Sequence, residues 1–211
     1  MKKKALFAVT AAVALMTSCS QAKQEQSEVS VKEENNSFSD VQEKKGSEIK
    51  AISSSPTSPL KTKEWGSAAK FSVSEQKYYN VPVRIVGIEY GLSADKTVKM
   101  ALENKKGAQQ YSAAKDGEQW VVAEYEMNLD GFPVDERGAD PAVSSFVISG
   151  ESDYITFNGK KFSPVTVSLT DDEFYFMGTV KGKVAFILPE KCSDYILALG
   201  EYGETQAFFS F

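Results

Sequence analysis

WVVAEYEMNL, residues 120–129, is the stretch of this sequence that decides the fold. From Val121 onward every second side chain is apolar, which is the pattern of a strand with one buried face. The buried face is predicted to carry Val121, Ala123, Tyr125, Met127 and Leu129. The opposite face is predicted to carry Glu124, Glu126 and Asn128.

Similar strands recur along the rest of the chain. Residues 81–90 change phase near Gly87, which predicts a bulge or a bend. Asn158-Gly159 is a hairpin signal before a strand at Phe162. The other candidates are 144–150, 154–157, 178–188, 195–199 and 205–211. Seven or eight short strands separated by turns predict a mainly β protein, an antiparallel β-sandwich.

One segment, SADKTVKMALEN at residues 93–104, breaks the strand pattern. Its apolar residues Ala94, Val98, Ala101 and Leu102 have the spacing of one helix face. We therefore expect one short helix, about residues 94–104, inserted between the early strands.

The composition excludes several kinds of chemistry. The chain of 211 residues has no histidine, which excludes Ser-His-Asp and Cys-His catalysis and the usual histidine-based metal sites. Two cysteines are too few for a zinc site, so we expect no metal and no cofactor. The formal net charge is -5 and no basic patch stands out, so nucleic acid is not an expected partner.

The N-terminus has the layout of an export signal. Three lysines precede an uncharged apolar run over residues 5–16, which is too short to span a bilayer. The run ends in Met16-Thr17-Ser18-Cys19, which resembles the lipobox of bacterial lipoproteins, with Met where Leu is usual. We expect residues 1–18 to be a lipoprotein signal peptide and Cys19 to be the lipid attachment site. An ordinary signal peptide with an incidental cysteine is the alternative.

A polar segment separates this signal from the folded part. Residues 19–64 are rich in Ser, Glu, Gln and Lys, and their few apolar residues show no sustained period. Such a composition cannot bury enough surface to offset its ordering entropy. We expect lipidated Cys19 and a disordered linker to residue 64, with a transient helix over 38–52 as the alternative. The folded domain is predicted over residues 65–211.

Four stretches of that domain together resemble a known family: EWGSAAKF, NVPVRIVGIEYG, DGEQWVVAEYEMNLDG and GTVKGKVAFILPEKCSDYILALG. They are similar to bacterial lipoproteins with an uncharacterised immunoglobulin-like (telokin-like) extracellular domain. That group includes the mycobacterial immunoprotective extracellular antigens. The resemblance covers about residues 65–211 and rests on the order and pattern of the strands. It implies an immunoglobulin-like β-sandwich on a lipid anchor, with no reaction and no catalytic residues.

Two acidic loops, residues 130–140 and 171–173, offer oxygen ligands that calcium could use. Neither has the spacing of a calcium-binding loop, so solvated acids are the favoured interpretation. Carboxylates from the two loops could also pair for glycoside hydrolysis, which needs two carboxyl groups about 5–10 Å apart.

Cysteine and aromatic residues provide the remaining candidates. Cys192 is predicted to lie in a turn as a small, semi-buried residue, with a reactive thiol as the alternative. Tyr78, Tyr79, the run 174–177 and Phe208 could form exposed binding surfaces, because alternation turns one of each neighbouring pair outward. Burial in the core is the favoured explanation for them in so aromatic a domain.

These observations favour a non-catalytic binding or interaction module on the extracytoplasmic face of a cell membrane, or of the outer membrane in a two-membrane bacterium. Its expected partners are the membrane, through the N-terminal lipid, and an envelope protein, glycan or small ligand. Two alternatives stay open: an envelope hydrolase that uses paired carboxylates, and a structural accessory subunit of an envelope complex.

Overall fold

Two antiparallel sheets face each other across a shared apolar core. The computed structural model describes residues 49–104, 110–170 and 173–211. The predicted signal peptide, Cys19 and most of the predicted linker lie outside these residues. In chain order the elements are β1 (Gly66–Ser72), β2 (Lys77–Tyr90), α1 (Gly91–Asn104), β3 (Glu118–Asn128), β4 (Ser145–Ile148), β5 (Ile155–Phe157), β6 (Lys160–Phe162), β7 (Thr166–Ser168), β8 (Thr179–Pro189), β9 (Ile196–Leu199) and β10 (Ala207–Ser210).

The strand order is that of an immunoglobulin-like sandwich. One sheet has the order β1-β2-β3-β8-β7, the other has the order β10-β9-β4, and β5 and β6 form a separate hairpin. If β2, β3, β4, β7, β8, β9 and β10 are read as strands A to G, the sheets are ABED and CFG, as in a constant-type immunoglobulin domain. The predicted mainly β, antiparallel immunoglobulin-like sandwich with one inserted helix is therefore confirmed.

The described residues contain ten strands, more than the seven or eight predicted. β1, GSAAKFS, was missed because its small residues hide the alternation, and β7 is only three residues long. The expected irregularity near Gly87 is present, because the pairing of β2 with β3 changes register between Ile85 and Gly87. The Asn158-Gly159 turn has positive φ at both residues, as a two-residue hairpin of this type requires.

The faces predicted for β3 are those observed. Tyr125 and its apolar neighbours on alternate positions point into the core between the sheets. Glu124 and Glu126 lie on the outer face, where they form ion pairs with Lys181 and Arg84. Gly182 in β8 makes room for the Tyr125 ring, because a Cβ atom there would clash with the ring and its hydroxyl.

The helix α1 covers part of the outer face of the five-stranded sheet. Ala94, Val98 and Leu102 pack there against Trp120 and Val122, which forms a second buried cluster. The predicted helix is thus confirmed, although it begins three residues earlier, at Gly91. Across the described ranges, no helix is long and apolar enough to cross a bilayer.

Residues 52–60, which we call the strap, lie against the edges of both sheets. The Ile52 N–H donates to the Trp65 carbonyl at 2.8 Å, and the Leu60 N–H donates to the Phe208 carbonyl at 2.8 Å. The Ser210 N–H donates back to the Leu60 carbonyl at 2.9 Å, and the Leu60 side chain is buried in the core between the sheets. Residues assigned by sequence to the disordered linker therefore include a packed segment that precedes residue 65.

Candidate functional site

Six large apolar side chains are exposed at one end of the sandwich, and we call this surface the aromatic end. They lie at the turn between β1 and β2 and in the segment that precedes β8. The set is Phe71, Val73, Tyr78, Phe174, Phe176 and Met177, with exposed fractions between 41% and 73%. Since β3 also ends here, the loop over residues 130–140 completes this end of the domain.

Contacts join several members of the aromatic end. Phe71 and Tyr78 are cross-strand partners, and their rings meet edge-on with centroids 5.2 Å apart. A cavity of about 100 Å³ beside them is lined by Phe71, Val73, Phe132 and Phe174, among others. The structure thus brings together two stretches, 71–78 and 174–177, that are distant in the sequence.

Alternation decides which aromatic residues reach solvent. Tyr79 points inward, packs on the core and meets the Phe132 ring edge-on at 6.0 Å, while its neighbour Tyr78 points outward. Tyr175 likewise packs on the core, whereas Phe174 and the residues after Tyr175 are exposed. The favoured interpretation of core burial is therefore correct for Tyr79 and Tyr175, and wrong for Tyr78 and for the other residues of the run 174–177.

A partly buried cation lies beneath the aromatic end. The Lys70 Nζ donates to the Ala142 carbonyl at 2.7 Å and lies 5.9 Å from the centre of the Phe132 ring. Burial lowers the pKa of Lys70, and the nearby charge of Asp140 partly opposes this effect. The hydrogen bond and the ring both favour the charged ammonium group over its neutral form.

Most of the acidic side chains in residues 130–140 accept hydrogen bonds from nearby backbone N–H groups. Asp130 accepts from the Gly178 N–H at 2.8 Å, and Asp140 accepts from the Ala142 N–H at 2.7 Å. Asp135 accepts from the backbone and the guanidinium of Arg137, and these bonds lower the pKa of the Asp135 carboxyl.

The second acidic loop is described only in part. Glu173 accepts from the Tyr175 hydroxyl at 2.8 Å, while Asp171 and Asp172 lie outside the described residues. Among the residues that the structure describes, no three acidic or cysteine side chains gather as metal ligands would.

A second concave surface lies on the three-stranded sheet, and we call it the β4 groove. Its volume is about 270 Å³. The apolar lining includes Phe146, Ile148 and the exposed Tyr202, whose ring meets that of Phe146 edge-on at 5.9 Å. The other lining residues are Val147, Asp153, Ser163, Pro164, Thr166, Ala198 and Gln206. The sequence predicted a strand at β4 but no site there.

The remaining candidates are simpler. Cys192 is a free thiol buried in the core near the start of β9, and burial raises its pKa. Cys192 is therefore buried more fully than the semi-buried position that the sequence predicted. Phe208 is half-buried in β10 on the outer face of the three-stranded sheet. Cys19 lies outside the described residues, so its lipidation stays a prediction.

Comparisons with known proteins add little to this description. No protein-family model matches the chain, and no curated protein matches it. One solved structure, an uncharacterised β-sandwich protein from Clostridium difficile 630, is similar over 61% of this chain and 83% of its own. The identity is 15% and the TM-score is 0.29. The fold assignment therefore depends on the strand order and the packing of this chain.

Proposed function

We propose that this protein is a lipid-anchored, non-catalytic binding module of the bacterial cell envelope that holds a partner protein at its aromatic end. Attachment through Cys19, after removal of residues 1–18, is supported by the sequence of the N-terminus. The resemblance to telokin-like extracellular domains of lipoproteins supports the same location. The observation that carries the binding role is the gathering of six exposed apolar side chains at one end, since such patches mark contact surfaces.

The chain enters the folded domain at the end that is opposite the aromatic end. Ile52 pairs in parallel with Gly66, the first residue of β1. Because the two segments run in the same direction, residues 49–51 lie on the side of Gly66 that faces away from the last residue of β1. Phe71 and Val73 lie at that other end, and a strand of seven residues is about 20 Å long. The described chain therefore enters the domain beside Gly66, about 20 Å along β1 from the aromatic end.

The charges around the aromatic end indicate the chemistry of the partner. Two ion pairs, Glu75 with Lys77 and Asp135 with Arg137, are locally balanced. Glu173 adds a negative charge next to Phe174, and the whole chain is acidic. A partner surface that is apolar and bordered by basic side chains would complement this end. An anionic lipid surface would be repelled.

Site-specific photocrosslinking in intact cells tests the proposal. A benzophenone amino acid is placed at position 174 in the full chain, with position 92 as the matched control. Leu92 is also exposed and apolar, but it lies in α1 at the other end of β2. We expect a discrete adduct with a protein from position 174 and none from position 92. Identical adducts at both positions, or none at either, would refute the binding role.

A companion variant separates the surface from the fold. Phe71→Ser, Phe174→Ser and Met177→Ser together should abolish an adduct formed from position 78, while Leu92→Ser should leave it. Since these side chains are exposed, the melting temperature should change little. An adduct that survives the triple change would show that the aromatic end does not hold the partner.

The anchor has its own test. A palmitate analogue fed to the cells should label the wild-type protein, and Cys19→Ala should remove the label and release the protein from the membrane fraction. Equal labelling of both proteins would show that the lipid is attached elsewhere.

A further inference from the structure

We propose that the β4 groove is a second binding site, which takes an extended peptide as an added strand on the open edge of β4. The ligand class is a peptide whose apolar residues alternate with small polar ones, flanked by lysine or arginine. This site is separate from the aromatic end and does not depend on its function.

The first argument is the unpaired backbone of β4. Within residues 49–104, 110–170 and 173–211, β4 pairs with β9 on one side, and no strand pairs with it on the other. The Gly200 N–H donates to the Ser144 carbonyl at 2.8 Å, which sets the phase of this antiparallel ladder. Backbone groups alternate in direction along a strand, so the N–H and C=O groups of Ser145 and Val147 point to the open edge.

The second argument is the lining of the groove. Val147 lines the groove, but its side chain is buried in the core. Its backbone is therefore the part that faces the groove. Phe146 and Ile148 lie on the outer face of β4, where their side chains would lie beside those of an added strand. Cross-strand apolar pairs of this kind stabilise a sheet. Tyr202 extends the apolar surface past Phe146.

The third argument is the place of this edge in the fold. Variable-type immunoglobulin domains extend the sheet at strand C with two further strands. Here β5 and β6 follow β4 in the chain, but they pair with each other rather than with β4. Among the described residues, no strand therefore takes the position of an extra strand by pairing with β4.

Two carboxylates near the ends of β4 favour basic residues at the two ends of the peptide. Asp153 is the charged side chain among the described residues that line the groove, and it follows the end of β4. Glu201 lies near the other end, where it accepts from the Ser144 hydroxyl at 2.6 Å. A peptide with basic residues at its ends and valine or isoleucine between them would complement both carboxylates.

The test uses the full chain and a labelled heptapeptide, Lys-Val-Thr-Val-Thr-Val-Lys, in fluorescence anisotropy. In the proposed antiparallel register the valines lie opposite Phe146 and Ile148, so the threonine amides face β4 and the valine amides face outward. Methyl groups on the threonine amides should weaken binding at least about tenfold. Methyl groups on the valine amides should leave it unchanged, because those amides make no bond to β4.

Variants at the strand edge provide the matched pair. Ser145→Pro removes one edge N–H and should weaken binding at least about tenfold, whereas Ser145→Ala keeps the N–H and should bind as wild type does. Bound peptide should also slow hydrogen exchange at the Val147 amide. If Ser145→Pro fails to fold, the two methylated peptides still decide the question.

Several results would overturn the proposal. They are equal binding of both methylated peptides, the absence of peptide binding, or binding of chitohexaose in place of the peptide. A dimer that Ser145→Pro dissociates would assign the edge to a second copy and overturn it as well. Ser145→Pro should leave the photocrosslink at position 174 unchanged, so this site and the aromatic end can fail independently.

Discussion

The two edges of the three-stranded sheet are treated in opposite ways. The edge of β10 is covered by the strap, which binds both Phe208 and Ser210 through backbone hydrogen bonds. The edge of β4 faces the groove, and no described strand pairs with it. Unpaired edges invite unwanted pairing, and proteins usually cover or interrupt them. The chain itself therefore closes one edge of this sheet and leaves the other open to the pairing proposed above.

The largest expected loss of unfolding free energy comes from removing the apolar side chain that packs at the β10 edge. Leu60→Ala should lower the free energy of unfolding by about 3 kcal/mol, because Leu60 fills the seam between the sheets. Ile148→Ala at the open edge is the matched change. It should cost less than about 1 kcal/mol, because that side chain is only partly buried. Urea unfolding of both variants provides the measurement, and equal losses would remove the distinction between the edges.

Proline substitution compares the backbone of the two edges. Ser210→Pro should cost about 2 kcal/mol, because the Ser210 N–H donates to the Leu60 carbonyl. Ser145→Pro should cost less than about 1 kcal/mol, because the N–H it removes points to the groove. Thermal unfolding followed by circular dichroism measures both. A larger loss for Ser145→Pro would show that the β4 edge has a partner of its own.

A single glycine makes the closed edge possible. A Cβ atom at Gly66 would lie 2.7 Å from both the Leu60 Cδ1 and the Ala207 Cβ. Gly66→Ala should therefore push Leu60 outward and cost about 1.5 kcal/mol. Combining Gly66→Ala with Leu60→Ala tests the contact with Leu60, because the second change removes that clash and leaves the one with Ala207. We expect the double variant to lose less unfolding free energy than the two single variants lose together. Losses that simply add would argue against this contact.

The smallest expected loss of unfolding free energy depends on pH and concerns the residues just before β4. The Tyr125 hydroxyl donates to the Pro141 carbonyl at 2.9 Å and accepts from the Val143 N–H, just before β4. Burial raises the pKa of Tyr125 from 10.0 to about 12. The unfolded chain releases this proton first, so the stabilisation is complete below about pH 10 and is lost as the pH rises toward 12.

The corresponding experiment compares wild type with Tyr125→Phe in urea at pH 8, 10 and 11. Between pH 10 and 11 the wild type should lose about 1 kcal/mol more than the variant does. Tyr195 also has a pKa raised by burial, so the variant should still lose some stability. Parallel pH profiles for the two proteins would mean that Tyr125 does not titrate in this way.

Local patterns were enough to predict the elements with a regular period. The faces of β3 and the buried side of α1 follow from spacings of two residues and of three to four residues, which need no tertiary information. The hairpin at Asn158-Gly159 follows from the backbone conformation that its residues favour.

The sites depend on contacts between distant parts of the chain. Leu60 lies in a stretch rich in serine and proline, and only the gap at Gly66 between β1 and β10 makes it a core residue. Phe146 and Tyr202 meet because β4 pairs with β9, which a list of strands does not specify. Alternation indicated that one of Tyr78 and Tyr79 is exposed, but not that Tyr78 shares an end of the domain with Phe174.

The parallel contact between Ile52 and Gly66 also gives the domain a mechanical property under the proposed anchoring. Tension on the linker would reach the sandwich at the strap and act along its length, across the bonds to Trp65, Phe208 and Ser210. Bonds perpendicular to a pull resist it together instead of opening one after another. A pull through the linker would therefore load these strap bonds before the ladders within the two sheets.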